Sequence, residues 1–124
     1  MKILIVDDIK GWRDYHKSVM AELFTNGEFF TADSAKSGYD KIIENCDTPF
    51  DVVITDMQME LDFEPKYAGE WLIEQIKSLK NYTKTKIVII SAAYNIEHIA
   101  NFYNVEYIRK NTARIFPDVY KSIL

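Results

Sequence analysis

The sequence predicts an α/β fold built on a parallel sheet. Short runs rich in Ile and Val alternate with longer stretches of helical periodicity along the whole chain. The 124 residues are 48% hydrophobic and 27% charged, which fits one globular domain with a core of its own. We therefore expect residues 1–124 to form a single domain in which helices cover both faces of a buried sheet.

Five segments have the pattern of strands between helical stretches. Short β-branched runs in this context are typical of a parallel sheet that is covered on both faces. The predicted strands are residues 3–6, 28–32, 52–54, 87–90 and 105–108.

The first helix is predicted from an inward stripe that ends near Asn26 and Gly27. Its members recur at steps of three and four residues: Ile9, Trp12, His16, Val19, Met20 and Leu23. His16 is interpreted as a packed histidine, because no second His or Cys has the spacing of a metal site. Trp12 is interpreted as a core anchor whose indole can also sense the acidic residues that precede it.

Ser34 is predicted to cap the second helix, because its hydroxyl can accept a hydrogen bond from the first helical turn. Thr48-Pro49 is predicted to stop this helix before the third strand, since the residue before proline disfavours helical backbone. Its predicted inward face consists of Ala35, Gly38, Tyr39, Ile42, Ile43 and Cys46. Cys46 is the only cysteine, so no internal disulfide can form.

Three further helices are predicted at residues 69–80, 95–103 and 116–123. The inward residues of the first are Leu72, Ile73, Ile76 and Leu79, and those of the last are Val119, Tyr120 and Ile123. Pro117 suits the first turn of the last helix. Five βα units with right-handed crossovers give a flavodoxin-like three-layer α/β/α sandwich, with a five-stranded parallel sheet in the order 2-1-3-4-5.

Polar residues follow four of the predicted strands: Asp7-Asp8, Asp56, Ser91 and Lys110. The carboxyl ends of parallel strands open on one edge of a sheet, where ligands bind, so these side chains are predicted to meet in one pocket. Clustered carboxylates raise one another's pKa unless a cation compensates them. Mg²⁺ prefers carboxylate, water and phosphate oxygens, and the sequence therefore predicts a magnesium site.

A carboxylate beside Mg²⁺ can attack a phosphoryl group and form an acyl phosphate. Asp56 is the candidate for this attack, with Lys110 pairing one phosphoryl oxygen and Ser91 donating to another. Each residue alone has an ordinary explanation, because acids cap helices, serines form turns and lysines at strand ends are solvated. Their joint occurrence at consecutive strand ends favours the site.

The chain resembles the receiver domain of two-component response regulators, including chemotaxis regulators, over essentially its whole length. The matching motifs are Ile-Val-Asp7-Asp8, Val-Ile-Thr-Asp56-Met, Ile-Ile-Ser91-Ala92-Ala93 and Tyr107-Ile-Arg-Lys110. The resemblance implies that Asp56 accepts a phosphoryl group from a sensor histidine kinase or a histidine phosphotransfer protein. It also implies that Asp7, Asp8 and the backbone carbonyl of Gln58 bind Mg²⁺ together with Asp56.

The resemblance further implies that Ser91 and Lys110 contact the phosphoryl group and that Tyr107 is a switch aromatic. If phosphorylation draws Ser91 toward the phosphoryl oxygens, the vacated space favours an inward Tyr107. The alternative is an ordinary half-buried strand tyrosine. The implied partners are a downstream protein and, as a further possibility, a second copy bound through helix four, strand five and helix five.

The sequence departs from the family after Asp56. The segment before Gly69 is longer than usual, and Glu60 stands in place of a proline, so we expect a long, mobile loop over residues 59–68. Its acidic residues are interpreted as solvated charges that can modulate metal affinity: Glu60, Asp62 and Glu64.

Two further departures lie near the end of the chain. The segment from Ser91 to Lys110 is shorter than usual, so helix four should be clipped. Asn111 stands where the family has a proline, which puts the cis peptide bond typical of that junction in doubt. These changes bear on partner choice more than on chemistry.

Charge and hydropathy exclude other classes. A net charge of −4 and a pI near 5.1 argue against nucleic-acid binding, which depends on clustered Lys and Arg. No segment approaches membrane-spanning length, and the apolar run after Lys2 is too short for a signal peptide. We therefore expect a cytoplasmic protein that does not bind membranes.

Two rival functions remain open. A Mg²⁺-dependent aspartyl phosphatase or phosphotransferase would also use strand-end carboxylates, but such enzymes resemble Asp-x-Asp, whereas here Lys10 follows the acidic pair. A receiver-like interaction module that is never phosphorylated is disfavoured by the presence of Asp8, Asp56 and Lys110. We expect a receiver that accelerates its own phosphorylation and hydrolysis, rather than an enzyme with an independent substrate.

Overall fold

A computed structural model of the chain describes residues 1–59 and 67–123. Its strands form one parallel sheet in the order β2-β1-β3-β4-β5. The strands are Lys2–Val6 (β1), Glu28–Ala32 (β2), Val52–Thr55 (β3), Lys86–Ser91 (β4) and Glu106–Arg109 (β5). The predicted flavodoxin-like class and strand order are confirmed, and every predicted strand lies within one residue of the observed one at each end.

Helices connect these strands and cover the sheet. The α-helices of the described residues are Lys10–Leu23 (α1), Ala35–Glu44 (α2), Ala68–Lys77 (α3), Ile96–Tyr103 (α4) and Lys110–Ile115 (α5). Two 3₁₀ helices follow α3 and α5, at Lys80–Tyr82 and Pro117–Ile123. The predicted capping role of Ser34 is confirmed, because its hydroxyl accepts a hydrogen bond from the Ser37 amide at 3.0 Å.

The alternation of side chains along β1 divides the core between the two faces of the sheet. Leu4 and Val6 pack in one cluster with residues of α2, α3 and α4. Ile3 and Ile5 pack in the other cluster with α1, α5 and the C-terminal 3₁₀ helix. This period of two, with both faces apolar, is why a continuous hydrophobic run predicts a central parallel strand.

Two residues assigned to inward helix faces lie at the surface. Ile9 is 50% exposed and Ile43 is 41% exposed, so the prediction was wrong for both. Ile9 has extended backbone and precedes the first turn of α1, and its side chain therefore does not follow the helical stripe. Ile43 lies at the flank of the stripe, whereas its neighbour Ile42 is fully buried.

The end of the chain differs most from prediction. The helix predicted at residues 116–123 is a 3₁₀ helix from Pro117, and the unpredicted α5 precedes it. Phe116 ends α5 with non-helical backbone, and Pro117 has no amide N–H with which to continue the ladder. The inward assignment of Tyr120 and Ile123 is nevertheless confirmed, since both are buried. The helix predicted at 69–80 ends earlier, at Lys77, and α4 is short as expected.

Gly69 brings the start of α3 against the end of β3. A Cβ at this position would lie 2.1 Å from the carbonyl oxygen of Asp56 and 2.7 Å from the Cα of Met57. The Gly69 amide donates to the Met57 carbonyl at 3.1 Å. Only glycine permits this approach, so α3 directly supports the backbone that carries Asp56.

Gly69→Ala should lower the free energy of unfolding by about 1–3 kcal/mol, because the added methyl group must displace backbone atoms. Urea denaturation measures the loss. Gly11→Ala is the matched control, since nothing lies within 4 Å of a Cβ at this exposed α1 position, and alanine there should leave stability unchanged or raise it. Equal stabilities of the two variants would contradict the close approach at Gly69.

Candidate functional site

Asp56 lies directly after β3 and is anchored by its own backbone. Its amide donates to the Val6 carbonyl at 2.9 Å, which extends the β1–β3 ladder by one residue. Carboxylate oxygen Oδ1 accepts a hydrogen bond from the Met57 amide at 2.7 Å. The residue is 4% exposed, and its second oxygen, Oδ2, is directed at Lys110.

Asp7 holds the corresponding position after β1. Its Oδ1 accepts from the Ile9 amide at 2.9 Å, and its backbone carbonyl accepts from Nη1 of Arg13 at 2.8 Å. These contacts tie Asp7 to the turn that leads into α1. Asp7 does not cap α1, because Ile9 is the N-cap residue and no side chain caps the helix. The contacts leave the other carboxylate oxygen of Asp7, Oδ2, for the pocket.

Lys110 joins the two carboxylates. Its Nζ lies 3.0 Å from Oδ2 of Asp7 and 3.1 Å from Oδ2 of Asp56. It also lies 5.0 Å from the ring centroid of Trp12, a cation–π distance. Lys110 is 6% exposed, so the explanation of this residue as a solvated lysine is wrong.

Three carboxylates meet at this edge of the sheet. Oxygens of Asp7, Asp8 and Asp56 all lie within 4.8 Å of one another. Asp7 and Asp56 are buried and Asp8 is half-buried. Close carboxylate oxygens are the donor set that a hard divalent ion such as Mg²⁺ takes. The structure therefore brings together the acids and the lysine that the sequence singled out, while their roles stay predictions.

Ser91 is the last residue of β4 and is buried beside this cluster. Its Oγ accepts a hydrogen bond from the Ala93 amide at 3.1 Å. The Ser91 side chain is also hydrogen-bonded to Asp56, which opposes the rise in the pKa of that carboxyl group. A cleft of about 110 Å³ opens next to it, lined by Ser91, Ala92, Arg109, Lys110 and Asn111. The cleft leaves room for a small anion beside the lysine.

Burial and charge move the two buried carboxyl groups in opposite directions. Burial raises the pKa of Asp56, and Asp7 adds to this against the opposing effect of Lys110, so the net pKa lies above its usual value. Burial also raises the pKa of Asp7, but His16, the Ile9 amide and Lys110 together outweigh it. The net pKa of Asp7 is therefore lowered.

Two predicted site residues are exposed, unlike the buried residues of the cluster. Gln58 is exposed, and the role of its backbone carbonyl as a metal ligand stays a prediction. Tyr107 is 36% exposed on β5, with its ring 5.8 Å from the guanidinium carbon of Arg109. Its predicted switch role also stays a prediction. Most of the expected loop at 59–68 lies outside the described residues, together with its acidic residues Glu60, Asp62 and Glu64.

The residues that support Asp7 are hard to recognise from sequence patterns alone. His16 was interpreted only as a packed histidine, yet Nε2 lies 3.8 Å from Oδ2 of Asp7. Arg13 was not singled out. The signal that could have found His16 is a polar residue within an otherwise apolar helical stripe. The observed position of Trp12 agrees with the prediction of an indole near the acidic pocket.

Comparison with solved structures identifies the architecture. The chain superposes with a TM-score of 0.69 on a response regulator receiver domain protein from Clostridium thermocellum, at 28% identity over 88% of this chain and 81% of the other. It has the receiver-domain fold. The response regulator TrrA from Thermotoga maritima, solved with Mg²⁺ and BeF, matches at 25% identity and a TM-score of 0.72 over 99% of this chain and 98% of the other.

A more distant match shows the fold alone. The receiver fold of this chain superposes on the chemotaxis response regulator CheY4 of Vibrio cholerae with a TM-score of 0.71, at 20% identity over 88% of this chain and 85% of the other. No family model matches the sequence, and no curated protein matches it significantly. Within residues 1–59 and 67–123, no helix is both long and apolar enough to span a bilayer.

In EDTA, Asp56→Asn should raise the stability of this receiver fold at neutral pH by on the order of 1 kcal/mol. The folded pKa of Asp56 is raised, so the carboxyl group favours folding below its unfolded pKa and loses that contribution as pH rises through the folded pKa. The gain from asparagine should therefore shrink as pH falls toward the unfolded pKa. Urea denaturation at several pH values measures it.

Asp40→Asn, at an exposed α2 position, is the matched control and should change stability little at any pH. If Asp56→Asn is instead less stable than the unmodified chain at neutral pH in EDTA, the Lys110 ion pair outweighs the burial cost of the carboxylate.

Proposed function

We propose that the chain is a phosphoacceptor receiver that takes a phosphoryl group onto Asp56 from a phosphorylated histidine of a sensor kinase or phosphotransfer protein. The observation that carries this proposal is the position of the Lys110 ammonium, 3.0 Å from Asp7 and 3.1 Å from Asp56. A buried ammonium can balance the negative charge of the carboxylate in both its free and its phosphorylated form, which such a site requires.

The acidic cluster fits the metal that such a site requires. Asp7, Asp8 and Asp56 offer hard oxygen donors within 4.8 Å of one another, and Gln58 would add a backbone carbonyl. When bound, Mg²⁺ neutralises negative charge on the phosphoryl oxygens. The similarity to TrrA, which was solved with Mg²⁺ and BeF, supports this assignment.

The transfer itself needs one carboxylate and balances without a further reactant. An oxygen of Asp56 attacks phosphorus, and the phosphorus–nitrogen bond breaks with its electron pair staying on the histidine nitrogen. The phosphohistidine ring is protonated on its other nitrogen, so it leaves as neutral imidazole. Deactivation is hydrolysis: water attacks phosphorus, and the bond between phosphorus and the Asp56 oxygen breaks. The carboxylate is then restored, phosphate leaves and a proton passes to solvent.

Lys110 and Ser91 would stabilise the charge that moves onto the phosphoryl oxygens. Nζ of Lys110 already faces Asp56, and a compact ammonium on a flexible stem can follow the charge outward. The Ser91 hydroxyl is buried beside it and can donate to a second oxygen. Asp7 would then keep its Ile9 amide contact while the lysine shifts its pairing.

With acetyl phosphate and Mg²⁺, the purified chain should gain the mass of one phosphoryl group, which intact-mass spectrometry measures. Asp56→Asn and added EDTA should each abolish the gain, whereas Asp40→Asn, at an exposed α2 carboxylate, should label like the unmodified chain. Failure of the unmodified chain to label would favour an interaction module. Continuous turnover of a generic phosphate monoester would favour an aspartyl phosphatase.

The output of the switch is proposed to run through Tyr107 and the elements around it. Tyr107 on β5, Phe102 on α4 and Ile115 on α5 are exposed, at 36%, 74% and 64%. Apolar side chains at the surface of these elements would suit contact with a downstream protein or a second copy. Ser91, at the end of the adjacent β4, connects this region to the phosphoryl site.

Crystal structures with and without a beryllofluoride phosphoryl mimic should show Tyr107 outward without it and inward with it, because Ser91 vacates space when it turns toward the mimic. Beryllofluoride added to Asp56→Asn is the control and should leave Tyr107 outward. The same Tyr107 rotamer in both structures of the unmodified chain would count against the switch.

A further inference from the structure

A buried polar chain runs from the C-terminal 3₁₀ helix to the acidic cluster. Tyr120, His16 and Asp7 are each 1% exposed or less. The Tyr120 hydroxyl is hydrogen-bonded to Nδ1 of His16, and Nε2 of the same ring lies 3.8 Å from Oδ2 of Asp7. The three residues come from separate elements, so this chain links the last segment of the fold to a predicted metal ligand.

The contacts of the His16 ring favour one tautomer of the neutral imidazole. If the Tyr120 hydroxyl donates to Nδ1, that nitrogen is the acceptor and Nε2 carries the proton in the neutral ring. The opposite tautomer would place a bare Nε2 beside the Asp7 carboxylate, lone pair against negative charge. Burial raises the pKa of the Tyr120 hydroxyl, with smaller contributions from Tyr15 and Asp7, so the hydroxyl retains its proton.

Aromatic packing holds the imidazole in place. The Trp12 ring lies against His16 at a centroid distance of 5.4 Å, and the Tyr120 ring lies at 5.7 Å. Nε2 is buried and has no hydrogen-bond partner among the described residues. At 3.8 Å from Oδ2 of Asp7 it is beyond hydrogen-bond range, and a shift of about 1 Å would close that bond.

Lys110 forms an ion pair with the same oxygen of Asp7, and its Nζ lies 3.0 Å from Oδ2. In the proposed function this lysine moves its pairing toward the phosphoryl group, which removes a cation from Oδ2. The N–H group at Nε2 of His16 can then donate to Oδ2 of Asp7 in place of the lysine and keep the carboxylate oriented. Asp7 would retain two fixed donors, the Ile9 amide on Oδ1 and His16 on Oδ2.

We propose that His16 is a positioning residue for Asp7 and that Tyr120 sets its tautomer, so that magnesium affinity depends on a tyrosine in the C-terminal segment. This inference rests on the proposed function, because it takes Asp7 as a magnesium ligand. Groups that orient a metal ligand typically change metal affinity by about 10–100-fold when they are removed.

The test compares the Mg²⁺ dissociation constants of four variants by isothermal titration calorimetry, with thermal unfolding measured alongside. His16→Leu removes both ring nitrogens and should weaken binding by about tenfold or more. His16→Gln retains an amide N–H near the position of Nε2 and should restore most of the affinity. Tyr120→Phe removes only the hydroxyl and should weaken binding less than His16→Leu.

Tyr82→Phe is the matched control. Tyr82 is a buried tyrosine in the other core cluster, and its hydroxyl donates to the Ile42 carbonyl at 2.8 Å. Its loss should reduce stability without changing magnesium affinity. Nitrogen-15 chemical shifts of the His16 ring should show Nε2 protonated in the unmodified chain and a mixture of tautomers in Tyr120→Phe.

Native affinity in a folded His16→Leu variant would overturn the inference, and so would equal losses of affinity in Tyr120→Phe and Tyr82→Phe. If His16→Leu does not fold, the ring shifts decide, because a proton on Nδ1 in the unmodified chain contradicts the proposed tautomer. Absence of magnesium binding by the unmodified chain would overturn the proposed metal site as well, which distinguishes failure of the function from failure of this inference alone.

Discussion

The ammonium of Lys110 between Asp7 and Asp56 is the interaction on which the site depends. Two carboxylates buried side by side repel each other and lose hydration, and neither is tolerated without a compensating charge. Removing the cation from such a buried cluster typically costs about 3–5 kcal/mol, because it leaves the carboxylates uncompensated. The same contact ties the junction of β5 and α5 to the ends of β1 and β3. The stability of the cluster and the proposed chemistry therefore both depend on this one side chain.

Much of the fold is readable from the sequence because a central parallel strand has a distinctive pattern. Ile3 and Leu4 are both fully buried on opposite faces of β1, which only a two-sided cover explains. α5 was missed for the opposite reason: it has six residues and little apolar periodicity. Lys110 and Ala113 are its buried residues, so tertiary contacts rather than intrinsic propensity hold it in place.

The candidate site was predictable to the extent that it lies at strand ends. Asp56 and Lys110 are 54 residues apart, but topology alone brings their strand ends to one edge. The polar chain behind Asp7 could not be found in this way. His16 and Tyr120 are 104 residues apart and lie on helical segments, where rotation about the helix axis and the path of the C-terminal segment decide contact. Neither the rotation of the helix nor the path of the C-terminal segment can be inferred from the spacing of residues in the sequence.

Lys110 is also the first residue of α5, and the six residues of that helix end at the exposed Ile115. A helix of this length spans about 9 Å. The backbone that carries the buried ammonium and the exposed Ile115 therefore belong to the same short helix, one at its start and the other at its end. A substitution that distorts α5 should for this reason disturb the charge balance of the pocket and an apolar part of the surface together.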